Sequence, residues 1–175
     1  MRRALYVLGQ LSDEHIEWLI AKGKRARAPA GHVLITEGAA NEFVYIVLDG
    51  TLGIYVNANG REMKVAERGA GDILGEMSFI EDLPASATVK AERESILFTM
   101  PKTLLADHLA VDRDFAARFY RGIAISLSYR LREAMDQHAA GREDADGEEL
   151  DPNVLDKVYL AGLRFDRIVR RMMAD

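Results

Sequence analysis

Hydrophobic and polar positions follow three successive patterns along the chain. The first segment, residues 1–23, carries apolar residues at helical spacing after Ser12, which suits the N-cap of a helix. Residues 24–100 instead contain short β-branched and aromatic runs, such as FVYIVL and TLGIYV, separated by turns that contain glycine. Helical spacing returns in residues 101–138. The pattern predicts a mainly β body with helices on either side.

Turns within the β segment are marked by glycine beside aspartate or asparagine. They fall at Asp49–Gly50, Asn57–Gly60 and Gly69–Asp72. Glycine at such positions supplies a positive φ angle or a tight bend between strands. Strands spaced this closely imply a sandwich or a barrel.

A long helix is predicted over residues 112–138, because apolar residues recur there at every fourth position. These residues are Phe115, Phe119, Ile123, Leu127 and Leu131. The stripe suits packing on the β body, pairing with the same helix of a second chain, or both along different turns. Its last four members are the candidate dimerisation residues, and a homodimer is the expected assembly.

The last part of the chain predicts a linker followed by one more helix. Residues 139–150 are acidic and contain glycine, so they hold too few apolar side chains to form a core. Asp151 and Pro152 suit the N-cap and first position of an amphipathic helix over residues 151–175. Its arginines either complement the helix dipole or form a patch for nucleic acid or membrane. Its apolar face is expected to dock on the body, a second subunit or an unknown protein partner.

Composition excludes several classes of function. The chain has 175 residues, no cysteine and a net charge of −5. Without cysteine there is no disulfide framework, thiolate zinc site or cysteine nucleophile, which fits a reducing compartment. The acidic balance opposes nucleic-acid binding by bulk charge, because neutralising phosphates needs a basic face. No stretch is apolar enough to span a membrane or to act as a secretory signal, so the cytoplasm is the expected location.

The segment richest in candidate chemistry is GDILGEMSFIEDLPASATVKA, residues 71–91. Gly75 and Glu76 follow a short strand, and Met77 and Ser78 belong to a short helical turn. Glycine at the start of such a turn lets the backbone approach a ligand closely. The exposed N–H groups of the turn, together with its dipole, favour a phosphate. The segment is therefore predicted to bind an anion.

Two segments in this order resemble the cyclic nucleotide-binding domain family, which occurs in bacterial transcription regulators, kinase regulatory subunits and ion channels. ITEGAANEFVYIVLDGTLGIYV resembles the early strands of the family, and GDILGEMSFIEDLPASATV resembles its phosphate-binding cassette. The resemblance covers roughly residues 10–138 and implies a jelly-roll β body, flanked by helices, in a bacterial-type regulatory protein. It implies a cyclic nucleotide, cyclic AMP or cyclic GMP, as the candidate ligand.

The resemblance also implies roles for residues of the cassette. Glu76 would meet the ribose 2′-hydroxyl, and amides near Gly75 and Ser86 would meet the phosphate. The candidate ligand-binding residues are Gly75, Glu76, Met77, Ser78, Ala85, Ser86, Ala87 and Thr88. A glutamate on a first helical turn is also a good dipole partner, so a structural role for Glu76 is the alternative.

One position departs from the family pattern. Family members that bind cyclic nucleotides usually carry arginine between the proline and the small residues of the P-x-S-A-T-V stretch, where this chain has Ala85. An arginine–phosphate contact contributes on the order of 1.5 to 3 kcal/mol, so its loss weakens binding about ten- to a few hundredfold. Nearby cations are interpreted as solvated surface charges: Arg61, Lys64, Arg68 and Lys90. With no phosphate partner, a neutral or sugar-like ligand is a further option.

Enzyme chemistry has little support in the sequence. The chain lacks an H-x-H motif and its four histidines are scattered, so no metal site is predicted. No G-x-S-x-G motif accompanies the serines of the cassette, which opposes nucleophilic catalysis. The 37 residues after His138 leave room for a linker and one helix, so a helix-turn-helix and direct DNA binding are not expected.

Two functional hypotheses follow. The first is a non-enzymatic regulatory protein with weak or lost cyclic nucleotide binding that acts as an interaction and dimerisation module. In this hypothesis Phe79, Leu83 and Pro84 close the pocket. The alternative is a working sensor of a cyclic nucleotide or another small ligand, which transmits occupancy through the C-terminal helices. Neither hypothesis assigns a cofactor.

Overall fold

The computed structural model describes residues 4–139 and 152–174, in which helices precede and follow the strands of two sheets and share a core with one of these sheets. The helices are α1 (Ala4–Gln10), α2 (Asp13–Lys22), α3 (Glu76–Ile80), α4 (Lys102–Val111), α5 (Arg113–Ala139) and α6 (Pro152–Met173). The strands are β1 (Lys24–Ala28), β2 (Val33–Ile35), β3 (Phe43–Asp49), β4 (Thr51–Ala58), β5 (Arg61–Gly69), β6 (Ile73–Leu74), β7 (Thr88–Ala91) and β8 (Ser95–Pro101). Apart from Ala139, the predicted linker at residues 139–150 lies outside the described residues, as does Asp151.

α1 and α2 both precede the first strand. α2 begins after Ser12 as predicted, because the Ser12 hydroxyl accepts a hydrogen bond from the His15 amide at 3.3 Å. His15 Nδ1 accepts one in return from the Ser12 amide at 3.1 Å. This reciprocal cap satisfies amides that the start of a helix leaves unpaired. α1 is an additional helix that the sequence pattern did not separate from α2, and it buries Val7 and Leu8.

Within the described residues, the strands form two four-stranded antiparallel sheets, ordered β1-β8-β3-β6 and β2-β7-β4-β5. The predicted jelly-roll body with flanking helices is confirmed. Two apolar cores result, since successive residues of a strand point to opposite faces. On β3, Val44, Ile46 and Leu48 lie in a core with the helices, whereas Val47 lies with Leu97 in a core shared by both sheets.

The apolar stripe of α5 packs inside the chain over the first part of the helix. Phe119 and Ile123 are buried in the core that the helices share with β3. These two candidate dimerisation residues are therefore not available to a second chain. Leu127 is half-buried and Leu131 is exposed. The stripe packs on the body near its start and leaves its later positions open to a partner.

α6 packs along α1 and α2, with Phe165 buried in their shared core. The Arg164 guanidinium donates hydrogen bonds to the carbonyl oxygens of Leu8 at 3.1 Å and Gly9 at 3.4 Å. It also pairs with Asp13 at 3.0 Å. The sequence-based explanation of the α6 arginines as dipole partners is therefore incomplete, because Arg164 binds the last carbonyls of α1. None of the described helices has the length and apolar character needed to cross a membrane.

Candidate functional site

α3 begins after Gly75, which adopts a left-handed conformation with a φ of +78°. A Cβ atom here would lie 2.5 Å from Asn41 Nδ2 and 2.6 Å from the Phe43 carbonyl oxygen. These two atoms belong to one turn, because Asn41 Nδ2 donates a hydrogen bond to that oxygen at 2.7 Å. Glycine is the residue that tolerates both the positive φ and the close approach. The turn thereby fixes where α3 starts.

The first turn of α3 borders a cavity of about 140 Å³. This cavity lies where α3 meets the sheet β2-β7-β4-β5, whose strands contribute Ile35, Val89, Ile54 and Arg68. The rest of the lining comes from residues 74–78 and 85–87. Mostly apolar walls with a few convergent polar groups are typical of small-molecule sites. We therefore take this cavity as the candidate site.

The sequence-predicted ligand-binding residues line this cavity, except for Thr88. Those that line it are Gly75, Glu76, Met77 and Ser78 at the start of α3, and Ala85, Ser86 and Ala87 in the loop before β7. The Thr88 hydroxyl instead accepts a hydrogen bond from the Glu37 amide at 3.0 Å. Thr88 thus connects β7 to the turn that follows β2.

Ala85 occupies the position where the family pattern places arginine. It is 7% exposed, and its amide donates to the Ala39 carbonyl oxygen at 2.9 Å. Its own carbonyl oxygen accepts a hydrogen bond from the Gly38 amide at 2.8 Å. The backbone of this loop is therefore held by the turn after β2. Residues 81–87 contain neither lysine nor arginine, so the loop brings no cation to the cavity.

Glu76 is 3% exposed and lies on the first turn of α3, where the helix dipole favours a carboxylate. Next to it, Lys102 Nζ of α4 donates a hydrogen bond to Ser78 Oγ at 2.8 Å. Partial burial lowers the pKa of Lys102, and the carboxylates of Asp82 and Glu76 oppose this shift. The Ser78 hydroxyl also donates to the Gly75 carbonyl oxygen at 3.3 Å. Polar contacts thus connect α4 to the start of α3.

Arg68 is the site residue that sequence reasoning missed. It lies near the end of β5, is half-buried, and lines the cavity together with Glu76 and Ala85. Its Nε atom is buried, and its Nη1 donates to the Glu67 carbonyl oxygen at 2.7 Å. The prediction of a solvated surface charge is therefore wrong for Arg68. The alternation of side chains between the two faces of β5 could have indicated this role, because Ala66 and Arg68 are half-buried and Glu67 between them is exposed.

The other three cations near the cassette do not line the cavity. Lys64 and Lys90 form ion pairs with surface glutamates. Arg61 is exposed beside the turn between β4 and β5. The interpretation as surface charges holds for these three residues.

The side chains expected to close the pocket lie elsewhere. The Phe79 ring packs against Phe119 of α5, with ring centroids 6.2 Å apart, and Leu83 is 59% exposed. Phe79, Leu83 and Pro84 border a separate surface hollow together with Lys102. The hypothesis that these three side chains fill the pocket is therefore wrong, and the cavity beside Gly75 is not closed by them.

The chemistry available in the cavity is that of binding. Glu76 can accept hydrogen bonds from ligand hydroxyls, and Arg68 can donate to an anion. Across residues 4–139 and 152–174, no three histidine, aspartate or glutamate side chains are grouped so that they could hold a metal ion. The arrangement suits a small molecule that carries both hydroxyls and a negative charge.

Known proteins match the chain over this region. The family model described as the cyclic nucleotide-binding domain matches residues 25–112. A cAMP-dependent protein kinase regulatory subunit from Blastocladiella emersonii is 31% identical over 121 residues, which are 66% of this chain and 30% of that protein. The chain therefore spans less than a third of the length of this relative.

Solved structures share the fold. A cyclic nucleotide-binding domain from Methylobacillus flagellatus has a TM-score of 0.71 and 24% identity, with 85% of each chain covered. The regulatory domain of Toxoplasma gondii PKA, co-crystallised with cAMP, has a TM-score of 0.57 and 26% identity over 61% of this chain and 42% of that chain. Because the family model matches about half of the residues and includes the whole cassette, this chain belongs to the cyclic nucleotide-binding domain family.

Proposed function

We propose that this chain is a non-enzymatic regulatory domain whose binding of cyclic nucleotides is weak or lost because Ala85 replaces the usual arginine. The observation that carries the proposal is the loop at residues 81–87, which borders the cavity without a lysine or arginine. The start of α3 supports a nucleotide-type ligand, since Gly75 holds a positive φ there and the exposed amides of a first helical turn favour an anion.

The expected loss of affinity for a cyclic nucleotide follows from the missing contact between an arginine and the phosphate. A guanidinium binds a phosphate with two charge-assisted hydrogen bonds, whereas the methyl group of Ala85 makes none. The contact as a whole contributes on the order of 1.5 to 3 kcal/mol. The affinity of this chain for a cyclic nucleotide should therefore be about ten- to a few hundredfold lower than that of an arginine-bearing pocket.

The ligand class is proposed from the relatives. The Blastocladiella emersonii protein is named as cAMP-dependent, and the Toxoplasma gondii domain is described in complex with cAMP. A cyclic nucleotide is thus the first ligand to test. The match to the kinase lies in a regulatory subunit, which supports a regulatory role for this chain rather than a catalytic one.

We further propose that the domain acts as an interaction module and that it forms a homodimer through the later part of α5. Phe119 and Ile123 are buried, so the interface would use half-buried Leu127 together with Leu131 and Met135. Leu131 and Met135 are 63% and 62% exposed and lie four residues apart, on one face of the helix. Pairing with a second copy would remove this apolar surface from water.

The test is isothermal titration of the natural protein and of Ala85→Arg with cyclic AMP and cyclic GMP. Ala85→Arg places a cation at the cavity wall, so we expect it to bind about ten- to a few hundredfold more tightly than the natural protein. Ala85→Gln is the matched control, because it adds a long polar side chain without the charge.

Two results would contradict the proposal. One is equal affinity of the natural protein and Ala85→Arg for the same nucleotide, with both proteins folded. The other is an equal gain in Ala85→Gln, which would assign the effect to side-chain size instead of charge.

A further inference from the structure

We propose that Trp18, His108 and Asp112 form a proton-sensitive clamp, which holds α2 against the corner between α4 and α5 more tightly when the His108 imidazole is protonated. The three residues lie on or between helices, whereas the cavity beside Gly75 is lined by other residues. The clamp changes how firmly the helices pack and is independent of the ligand that the cavity binds.

A stacked pair of rings joins α2 to α4. The rings of Trp18 and His108 are nearly parallel, with centroids 3.8 Å apart and an angle of 9° between their planes. The Phe115 ring of α5 meets both at an inclined angle, 5.5 Å from Trp18 and 4.8 Å from His108. A cation over the face of an indole is attracted by the ring quadrupole, and a neutral imidazole lacks that attraction. Protonation of His108 therefore strengthens the contact between the two helices.

Asp112 uses its two carboxylate oxygens for different contacts. Oδ1 accepts a hydrogen bond from the Phe115 amide at 2.8 Å, which caps the start of α5. Oδ2 lies 3.8 Å from His108 Nε2 and 3.8 Å from His15 Nε2. A positive charge on His108 attracts this carboxylate without competing for the capping oxygen. The charge of one imidazole thus acts on the residue that fixes where α5 begins.

His15 faces the same carboxylate but has a different role. Its Nδ1 accepts a hydrogen bond from the Ser12 amide at 3.1 Å, so the proton of the neutral ring lies on Nε2. A second proton, on Nδ1, would face the amide N–H and break this part of the α2 cap. Protonation of His15 would therefore exchange one contact for another, whereas protonation of His108 adds attraction to both Trp18 and Asp112.

Asp112 and Asp114 supply the negative charges beside the two imidazoles. Asp114 Oδ2 lies 3.7 Å from His15 Nε2, and it also binds the Arg118 guanidinium at 2.7 Å, so its charge is already shared. The pKa of Asp112 lies below its ordinary value, mainly because its carboxylate accepts the Phe115 amide, and the nearby imidazoles add to this shift. Asp112 therefore stays charged through the pH range in which histidine titrates.

The sign of the pH dependence follows from the form that each group takes in the clamp. The attraction of a protonated His108 is present at low pH and is lost as pH rises through about 6.5, where histidine ordinarily loses its proton. The carboxylate of Asp112 is favoured over its acid, so its contribution is present at neutral pH and is lost below about pH 4. The clamp is therefore strongest between about pH 4.5 and about pH 6.

The first readout is the fluorescence of Trp18, which is the one tryptophan in the chain. An imidazolium in contact with an indole quenches its emission by accepting an electron from the excited ring. We expect the emission of the natural protein to fall between about pH 8 and about pH 5.5, and that of His108→Gln to stay constant. His32→Gln is the matched control, because His32 is exposed between β1 and β2, and it should behave as the natural protein does.

The second readout is unfolding in urea at the same two pH values. We expect the folded-to-unfolded ratio of the natural protein, relative to that of His108→Gln, to rise about fivefold from the higher pH to the lower. Asp112→Asn should lose much of this gain, since asparagine keeps the α5 cap but carries no charge. His15→Gln should keep the gain, since glutamine at this position also completes the α2 cap.

Constant emission of the natural protein between the two pH values overturns the clamp, because His108 would then not change its charge beside Trp18. So does an equal pH dependence of unfolding in the natural protein and a folded His108→Gln, the result expected if the rings serve packing alone. A pH dependence that persists in His108→Gln and disappears in His15→Gln also overturns the clamp and assigns the charge change to His15. Should His108→Gln unfold, Asp112→Asn decides: a difference between its two urea midpoints equal to that of the natural protein overturns the clamp.

Discussion

At the scale of single residues, the pocket depends on one backbone conformation and one pair of charges. Gly75 holds a φ of +78° against Asn41 and the Phe43 carbonyl, and this fixes the start of α3. Glu76 and Arg68 then bring opposite charges to the same small cavity. The conformation is a matter of steric fit and the charges are a matter of electrostatics, so the two can be tested separately.

Gly75→Ala should destabilise the protein by about 2 to 5 kcal/mol, because a left-handed alanine is strained and its Cβ atom would overlap a tightly packed turn. Gly38→Ala is the matched control. It has a similar φ of +75° but no atom within 4 Å of the added Cβ, so we expect about 1 to 2 kcal/mol. Urea unfolding of the three proteins measures both values, and equal losses would contradict the role of the close contact.

At the scale of elements, the apolar positions of α5 change from buried to exposed along the helix. Its early apolar positions are buried in the chain's own core, as Phe119 is, while Leu131 and Met135 are exposed. α5 has 27 residues, and its later turns carry the apolar side chains of Leu131 and Met135 in water. The proposed dimer surface is therefore the later part of the helix rather than the whole stripe.

Leu131→Asp should convert a dimer of the natural protein into a monomer, because a carboxylate would replace an apolar side chain at the centre of the proposed interface. Ala117→Asp, on an exposed position near the start of α5, should leave the dimer intact. Light scattering coupled to gel filtration gives the mass of each protein. A monomeric natural protein, or dimers of all three, would exclude this surface.

At the scale of the whole molecule, α6 adds a second layer of helix over α1 and α2. Phe165 and Met172 reach the shared core, and Arg164 contacts the end of α1 and Asp13. A second ion pair joins Arg167 to Glu17 at 2.7 Å. These contacts make α6 part of the folded unit that carries the pocket.

Arg164→Ala should loosen α6 without unfolding the β body, because it removes the charged hydrogen bonds that this side chain makes to the carbonyl oxygens of Leu8 and Gly9. We expect amide hydrogen exchange in α6 to become about tenfold faster or more, while β3 and β8 stay protected. Arg170→Ala is the control, since Arg170 is exposed on the same helix. Similar exchange in both variants would contradict the role of Arg164.

Local signals in the sequence predicted most of the elements and the cassette residues that line the cavity, but neither a separate α1 nor the part of the cavity wall that β5 contributes. Ser12 and the glycine of the cassette act on their own neighbours, so their roles could be predicted from adjacent residues. Arg68 lines the cavity because the sheet that contains β5 lies beside the first turn of α3, a tertiary contact that spacing alone does not reveal. Phe79 likewise turns toward Phe119 rather than the pocket, because a distant helix supplies a larger apolar surface.

The contact between Arg164 and Leu8 joins residues that are 156 positions apart in the sequence. Closing a loop of this length costs more conformational entropy than closing a tight turn such as that between β4 and β5. The contacts of α6 offset this cost only after α1 has packed on the core. We therefore expect α6 to dock last during folding and to detach first when the protein opens. The pocket would be complete before that step, so a nascent molecule could hold a ligand before its final helix is in place.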